Sequence, residues 1–122
     1  SDPQKQAALR QQALFADYYL GSVHALSSEG EIVIASASGS QMAPIMFTSP
    51  NLIFVVGTQK ITPTLADAME RLRAYVYPLE NKRMADSGAG GSVLSKITIL
   101  EQEPAFMHRT VHVILVTEAL GF

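Results

Sequence analysis

A short polar segment directly follows the most apolar stretch of the chain. Leu52–Val56 is continuously apolar, and Gly57, Gln59 and Lys60 come just after it. A run of this kind is typical of a central strand covered on both faces, and open α/β sheets bind ligands at the carboxyl ends of such strands. We therefore predict that Gly57, Gln59 and Lys60 bind a carboxylate or phosphate, with the dipole of the next helix contributing. The alternative is a strand-ending glycine followed by a solvated lysine.

Two other segments carry polar groups suited to an anion. Ser36–Ser40 is a small-residue loop that leads into a predicted short helix, a favourable geometry for an anion, although its spacing is not that of a phosphate-binding signature. A plain turn is the alternative there. Basic side chains near the end of a later helix are also explained by the helix dipole and by solubility. The predicted ligand-binding residues in the loop are Gly39, Ser40 and Gln41.

The histidine spacing does not predict a metal site. His108 and His112 are four residues apart, but the segment around His112 reads as a strand, in which such positions lie roughly 13 Å apart at a rise of about 3.3 Å per residue. Neither a Ser-His-Asp order, nor a carboxylate-pair signature, nor a dinucleotide-binding glycine pattern is present. We predict no metal and no cofactor, and the catalytic residues stay unassigned.

Composition limits the class of protein. The 122 residues are 48% hydrophobic and 16% charged, with a net charge of −2, so we predict one folded domain over residues 1–122 and expect neither nucleic acid nor a membrane as partner. The chain contains no cysteine, which excludes disulfides, thiolate nucleophiles and cysteine-held clusters. We expect a cytoplasmic protein.

Local patterns predict an alternation of helices and strands. Asp2 and Pro3 begin a helix, and Thr62 or Thr64 caps a second, amphipathic one that Pro78 should end or bend. A turn at residues 27–30 should join two strands in a hairpin. This alternation favours an α/β fold with a mixed sheet. The predicted elements are helices over Gln4–Ala16, Gln41–Phe47 and residues 65–76, and strands over Tyr18–Leu26, Glu31–Ile34, Leu52–Val56, Lys96–Leu100 and Thr110–Thr117.

Five motifs in order resemble the lactate-utilisation (LUD) domain family. They are Ala16–Ala25, Glu29–Val33, Val55–Ile61, Pro78–Arg83 and Val113–Phe122. The resemblance implies a three-layer α/β/α sheet like that of the sugar-phosphate isomerase and CoA-transferase fold, truncated at the N-terminus. It also implies exposed sheet edges, which favour pairing with another chain as a homo-oligomer or with partner subunits.

The chain departs from the family pattern at polar positions. His24 stands where members typically carry Asn, and because it occupies a motif position we add it to the predicted ligand-binding residues, with a structural role as the alternative. Gln59 replaces the Asn before the lysine. The match of Pro78–Arg83 to a family motif implies a ligand role for Asn81, Lys82 and Arg83. Of a Gly-Asn-Arg motif only Gly39 is kept, with Ser40 and Gln41 in the other positions.

The resemblance implies an accessory subunit in lactate or related organic-acid oxidation, with a small anionic ligand at the strand ends. Without cysteines to hold a cluster, it would not be the redox centre. Two alternatives stay open: an enzyme acting on an acyl or sugar-phosphate-like anion, and a degenerate module that serves assembly alone.

Overall fold

Seven strands and three α-helices make up the part of the chain, residues 2–122, that the computed structural model describes. The α-helices are α1 (Pro3–Ala13), α2 (Leu65–Arg71) and α3 (Tyr77–Asp86). The strands are β1 (Tyr18–Gly21), β2 (Ala25–Ser27), β3 (Ile32–Ser36), β4 (Asn51–Gly57), β5 (Ile61–Thr62), β6 (Lys96–Leu100) and β7 (Thr110–Val116). None of these helices is long and apolar enough to cross a membrane.

One sheet has three parallel strands in the order β1–β4–β7. The central position predicted for Leu52–Val56 is confirmed, since β4 pairs on both edges. Leu52, Phe54 and Val56 point to one face and are fully buried, while Ile53 and Val55 on the other face are only partly buried. Coverage of both faces, as predicted for this strand, is therefore incomplete among the described residues.

The second sheet has four strands in the order β5–β2–β3–β6. The predicted hairpin is confirmed, because β2 and β3 pair antiparallel across a turn in which Gly30 has a φ of 108°. The single extended segment predicted over Tyr18–Leu26 is wrong: it splits into β1, which pairs with β4, and β2, which pairs with β3. Residues 22–24 thus carry the chain from one sheet to the other.

Two buried clusters set the order of the layers. Val23, Leu26, Ile32 and Ile34 from the four-stranded sheet meet Leu52, Phe54 and Val56 from the three-stranded sheet. On the opposite face of the four-stranded sheet, residues of β2 and β3 pack against the long helix, which runs from Leu65 to Asp86 and comprises α2 and α3. This second cluster is Ala25, Val33, Ala35, Ala68, Leu72 and Val76. The α/β class is confirmed, and the layers in this chain run helix, four-stranded sheet, three-stranded sheet.

The long helix changes its hydrogen-bond pattern in the middle. It begins at Thr64, whose hydroxyl accepts from the N–H of Asp67 at 3.2 Å, and passes through a π-helical turn, Leu72–Val76, into α3. Pro78 lacks an N–H and cannot continue the i→i−4 ladder, and the wide turn stands directly before it. The helix therefore does not end at Pro78, one of the two outcomes predicted there, but runs on to Asp86 through a register change.

The remaining predicted helices form, with differences in detail. Asp2 caps α1 by accepting from the N–H of Gln4 at 2.9 Å, but no residue of α1 is buried. The short helix predicted over Gln41–Phe47 forms as a π-helical turn over Pro44–Thr48. Its carbonyl groups are bound by Arg109, from the connection before β7.

Candidate functional site

A cavity of about 690 Å³ opens between the four-stranded sheet and the long helix. Its wall combines Ser22–His24 before β2, the end of β3, Lys60, and residues of the helix from Leu72 to Met84. The C-terminal Gly121 and Phe122 and the segment before β6 close the remaining sides. Polar groups from segments far apart in sequence thus face one space.

Lys60 is a buried cation on the cavity wall. It ends a 3₁₀ turn after β4 and is only 6% exposed. Its Nζ donates to the carbonyl of Val23 at 2.9 Å and to the Ser22 hydroxyl at 3.3 Å. No carboxylate of the described residues lies within ion-pair distance of it. Burial, followed by the charge of Arg71, lowers the pKa of Lys60.

His24 lies beside Lys60 with its tautomer determined. Its Nδ1 accepts a hydrogen bond from the backbone N–H of Ala35 at 3.1 Å, so in the neutral ring the proton is on Nε2. Burial and then the positive charge of Lys60 lower the pKa of His24, against a smaller opposing effect of Glu80. The ring is therefore a neutral hydrogen-bond donor at neutral pH.

An ion pair on α3 stands at the rim of the cavity. Arg83 binds the carboxylate of Glu80 through two nitrogens, at 2.6 and 2.9 Å. The hydrogen bond from Arg83 holds the pKa of Glu80 below its ordinary value, although burial acts in the opposite direction. The Arg83 side chain is 57% exposed, so a ligand entering the cavity can reach it.

Arg71 donates hydrogen bonds to two residues of the cavity wall. Its Nε donates to the carbonyl of His24 at 3.3 Å, and its Nη2 donates to the carbonyl of Phe122. The guanidinium also stacks on the Tyr75 ring, 4.9 Å from the centroid. Neither Arg71 nor Glu80 was predicted as part of a site. Only the position of Arg71, directly before the buried Leu72, could have suggested a role for it.

The family model for the LUD domain matches residues 2–116 of the chain. The chain belongs to the LUD domain family. Among curated proteins none matches the sequence. A crystal structure of a DUF162 family protein from Deinococcus radiodurans has a similar fold, with a TM-score of 0.54 and 20% identity. The similarity covers 87% of this LUD domain and 57% of that chain, so the domain spans little more than half of its structural neighbour.

Four of the predicted ligand-binding residues of the LUD domain line the cavity: His24, Gln41, Lys60 and Arg83. We predicted that the dipole of the helix after Lys60 would act on an anion bound there, but the structure does not place the N-terminus of that helix at the cavity. α2 begins only at Leu65, after the short strand β5, and its first turn does not border the cavity. The space faces the middle of the long helix instead.

Gly57 and Gln59 connect the strand end to the C-terminal segment. Gln59 donates to the carbonyl of Leu120 at 2.8 Å. A Cβ on Gly57 would lie 2.0 Å from Gln59 Oε1 and 2.8 Å from the carbonyl oxygen of Glu118. Neither residue lines the cavity. Gln59 binds the C-terminal segment, and Gly57 leaves room for this segment to pass close to the end of β4.

The Gly39 loop reaches the cavity through its two ends. Ser36 and Gln41 line the space and share a hydrogen bond of 2.9 Å. Gly39, with a φ of 84°, donates its N–H to the Ser36 hydroxyl at 2.8 Å and is not part of the lining. Ser40 borders a smaller cavity of about 240 Å³ next to β1.

Asn81 and Lys82 point away from the cavity. The Asn81 side chain accepts from the N–H of Ser92 at 2.8 Å, while Tyr77 donates to the carbonyl of the same residue at 3.1 Å. Lys82 forms an exposed pair with Asp86 at 2.6 Å. Asn81 therefore binds the segment before β6 at Ser92, and Lys82 is a surface cation.

The cavity combines positive charge with an apolar wall. Lys60 and Arg83 supply cationic groups, His24 and Ser22 supply hydrogen-bonding groups, and Leu72 with Val76 and Leu94 supplies apolar surface. Such a lining favours a small anion with an apolar part. Among the described residues no group of three or more histidine or acidic side chains is arranged to hold a metal ion.

Proposed function

We propose that this LUD domain binds a small organic anion in the cavity and acts as an accessory subunit in lactate or related organic-acid utilisation. Family membership relates the chain to lactate utilisation at family level. These 122 residues contain no cysteine, so a cysteine-held redox cluster would have to lie outside them. A cytoplasmic location is part of this proposal.

The observation that carries the proposal is the buried ammonium group of Lys60. Burying a charge without an opposite charge is costly, and proteins normally pair it. Lys60 is 6% exposed and has only neutral partners, Val23 and Ser22, among the described residues. A carboxylate in the cavity would provide the missing counter-charge, with Arg83 available for a second contact.

Thermal denaturation with added ligands tests this proposal. A ligand that binds only the folded state raises the unfolding free energy by about 2.7 kcal/mol at a hundred times its Kd. We expect a rise in Tm with lactate or a similar small carboxylate, and we include phosphate, CoA and a sugar phosphate for comparison. Lys60→Met should abolish the rise, whereas Lys82→Met, which removes an exposed lysine, should keep it.

Two results would contradict the anion site. One is no rise in Tm with any of these ligands on the folded chain. The other is an equal rise in the wild type and in a folded Lys60→Met variant, because binding would then not depend on the buried charge. Isothermal titration on the same two proteins gives Kd directly and separates binding from changes in stability.

A module that serves assembly alone is the second candidate, and one observation favours it. Tyr18 and Leu20 on β1 and Ile114 on β7 are 65%, 70% and 49% exposed on the outer face of the parallel sheet. Parallel sheets are normally covered on both faces. We propose that another polypeptide, either a second copy or a partner subunit, covers this face.

A further inference from the structure

We propose that Lys60 is a nucleophilic amine that condenses reversibly with the carbonyl group of a small 2-oxo acid held in the cavity. This inference rests on the anion site proposed above and adds a covalent step to it. It assigns a reaction to the one lysine that the fold places inside a cavity rather than on the surface.

The surroundings of Lys60 make its free amine more accessible than that of an exposed lysine. Lysines become nucleophiles in proteins when they are desolvated or lie beside another cation. Lys60 is both, since it is buried and the Arg71 charge acts on it. Its two hydrogen bonds are to neutral oxygens, those of Ser22 and Val23, and no described carboxylate holds its proton. An exposed lysine paired with an acid, such as Lys82 with Asp86, has neither property.

The neighbouring groups suit a carbonyl compound that carries a carboxylate. The Nε2–H of His24, whose Nδ1 is occupied by the Ala35 N–H, can donate to the carbonyl oxygen, as a neutral imidazole does in enzymes that polarise carbonyl groups. Arg83 at the rim can bind the carboxylate. A short aliphatic group would pack on Leu72 and Val76.

The condensation balances without any further reactant. The Nζ lone pair forms a bond to the carbonyl carbon, the C=O π electrons move to oxygen, and this oxygen takes a proton while the nitrogen loses one to solvent. The carbinolamine then loses water as the C=N bond forms, so amine and carbonyl give imine and water. The imine is protonated and keeps a positive charge at the position of the ammonium group, next to the bound carboxylate.

Reductive trapping tests the proposal on the full chain. Wild-type protein is incubated with pyruvate and sodium borohydride, which reduces an imine to a stable secondary amine, and the modified peptides are mapped by mass spectrometry. The chain has four lysines, Lys5, Lys60, Lys82 and Lys96. We expect modification at Lys60 to exceed that at each other lysine several-fold near neutral pH, because the cavity holds the 2-oxo acid beside Nζ and because the lowered pKa leaves more free amine.

Controls separate this step from simple anion binding. Lactate has a hydroxyl group in place of the ketone carbonyl and should give no adduct, although it should still raise Tm if the anion site exists. The preference for Lys60 should shrink as the pH rises, because the exposed lysines also lose their protons. His24→Asn keeps an acceptor for the Ala35 N–H but lacks Nε2–H, and we expect it to trap more slowly.

Even labelling of all four lysines, or none at Lys60, would overturn the covalent proposal. If lactate still raised Tm in that case, the anion site would survive and only the imine would be lost. Because mapping is done on the wild-type chain, the result does not depend on whether Lys60→Met folds.

Discussion

At the scale of residues, the two central side chains of the cavity are held by backbone groups. Lys60 donates to the carbonyl of Val23, and His24 accepts from the N–H of Ala35. Val23 precedes β2 and Ala35 belongs to β3, so the hairpin positions both groups. The cavity chemistry therefore depends on the pairing of two strands rather than on a flexible loop.

We predict that His24 makes stability depend on pH. The pKa of His24 in the folded chain lies below its ordinary value of 6.5, because of burial and then the Lys60 charge. Between these two pKa values the unfolded chain binds more protons, so the free energy of unfolding decreases as the pH falls through this window. In His24→Asn the side-chain oxygen can still accept from Ala35 but does not titrate.

Urea denaturation at pH 7, 6 and 5 measures the effect. We expect the wild type to lose more stability than His24→Asn over this range. His112→Asn, a substitution on the exposed outer face of β7, serves as the matched control and should follow the wild type. Equal slopes in wild type and His24→Asn would show that His24 is not the group responsible.

At the scale of elements, Arg109 links the start of β7 to the π-helical turn. Its side chain is 3% exposed, and it donates to the carbonyl groups of Ile45 at 2.5 Å, Pro44 at 3.2 Å and Ser49 at 3.0 Å. One guanidinium therefore donates to three carbonyl groups of this segment, of which that of Pro44 also accepts from the N–H of Ser49. Its Nη1 is 3.3 Å from Glu103 Oε1 but lacks hydrogen-bond geometry.

We predict that Arg109→Lys destabilises the fold by about 2–3 kcal/mol, because an ammonium group cannot reproduce the fork of donors and leaves buried carbonyl groups unpaired. Chemical denaturation monitored by circular dichroism measures the change. Arg73→Lys, on the exposed side of the long helix, is the control and should stay within about 0.5 kcal/mol of the wild type. A loss of the same small size at Arg109 would contradict its role as a link.

At the scale of the whole molecule, the two faces of the three-stranded sheet differ. The inner face meets the four-stranded sheet through Leu52, Phe54 and Val56. The outer face carries Tyr18, Leu20, Ile53, Val55 and Ile114 at matching register positions of the three strands. Apolar side chains on three adjacent strands form a contiguous patch of the kind found at protein interfaces.

We predict that charges on this face reduce self-association. The double variant Leu20→Lys, Ile114→Lys should shift the chain toward the monomer in size-exclusion chromatography with light scattering, because burying two ammonium groups at an interface is costly. Ile61→Lys places a charge on an exposed residue of the other sheet and should leave the oligomeric state unchanged. A wild-type chain that is monomeric at all concentrations would exclude a second copy as the covering partner.

The sequence by itself determined the elements with strong local signals. The Asp2 and Thr64 caps, the apolar run in β4 and the turn before Gly30 each act over a few residues, and all four formed as predicted. The motifs were also sufficient to indicate the LUD domain family, which the family model confirmed. These signals are local because capping, turn formation and the apolar pattern of a strand are set by residues close in sequence.

Only the tertiary structure decided which polar residues meet. Lys60 reaches Val23, Gln59 reaches Leu120, and Arg71 reaches Phe122, and each pair is distant in sequence. No local pattern encodes these partners, because they result from strand pairing and from the return of residues 118–122 over the sheet. The segment after β4 therefore places Lys60 in the cavity wall, whereas Gly57 and Gln59 contact the C-terminal segment and have a structural role.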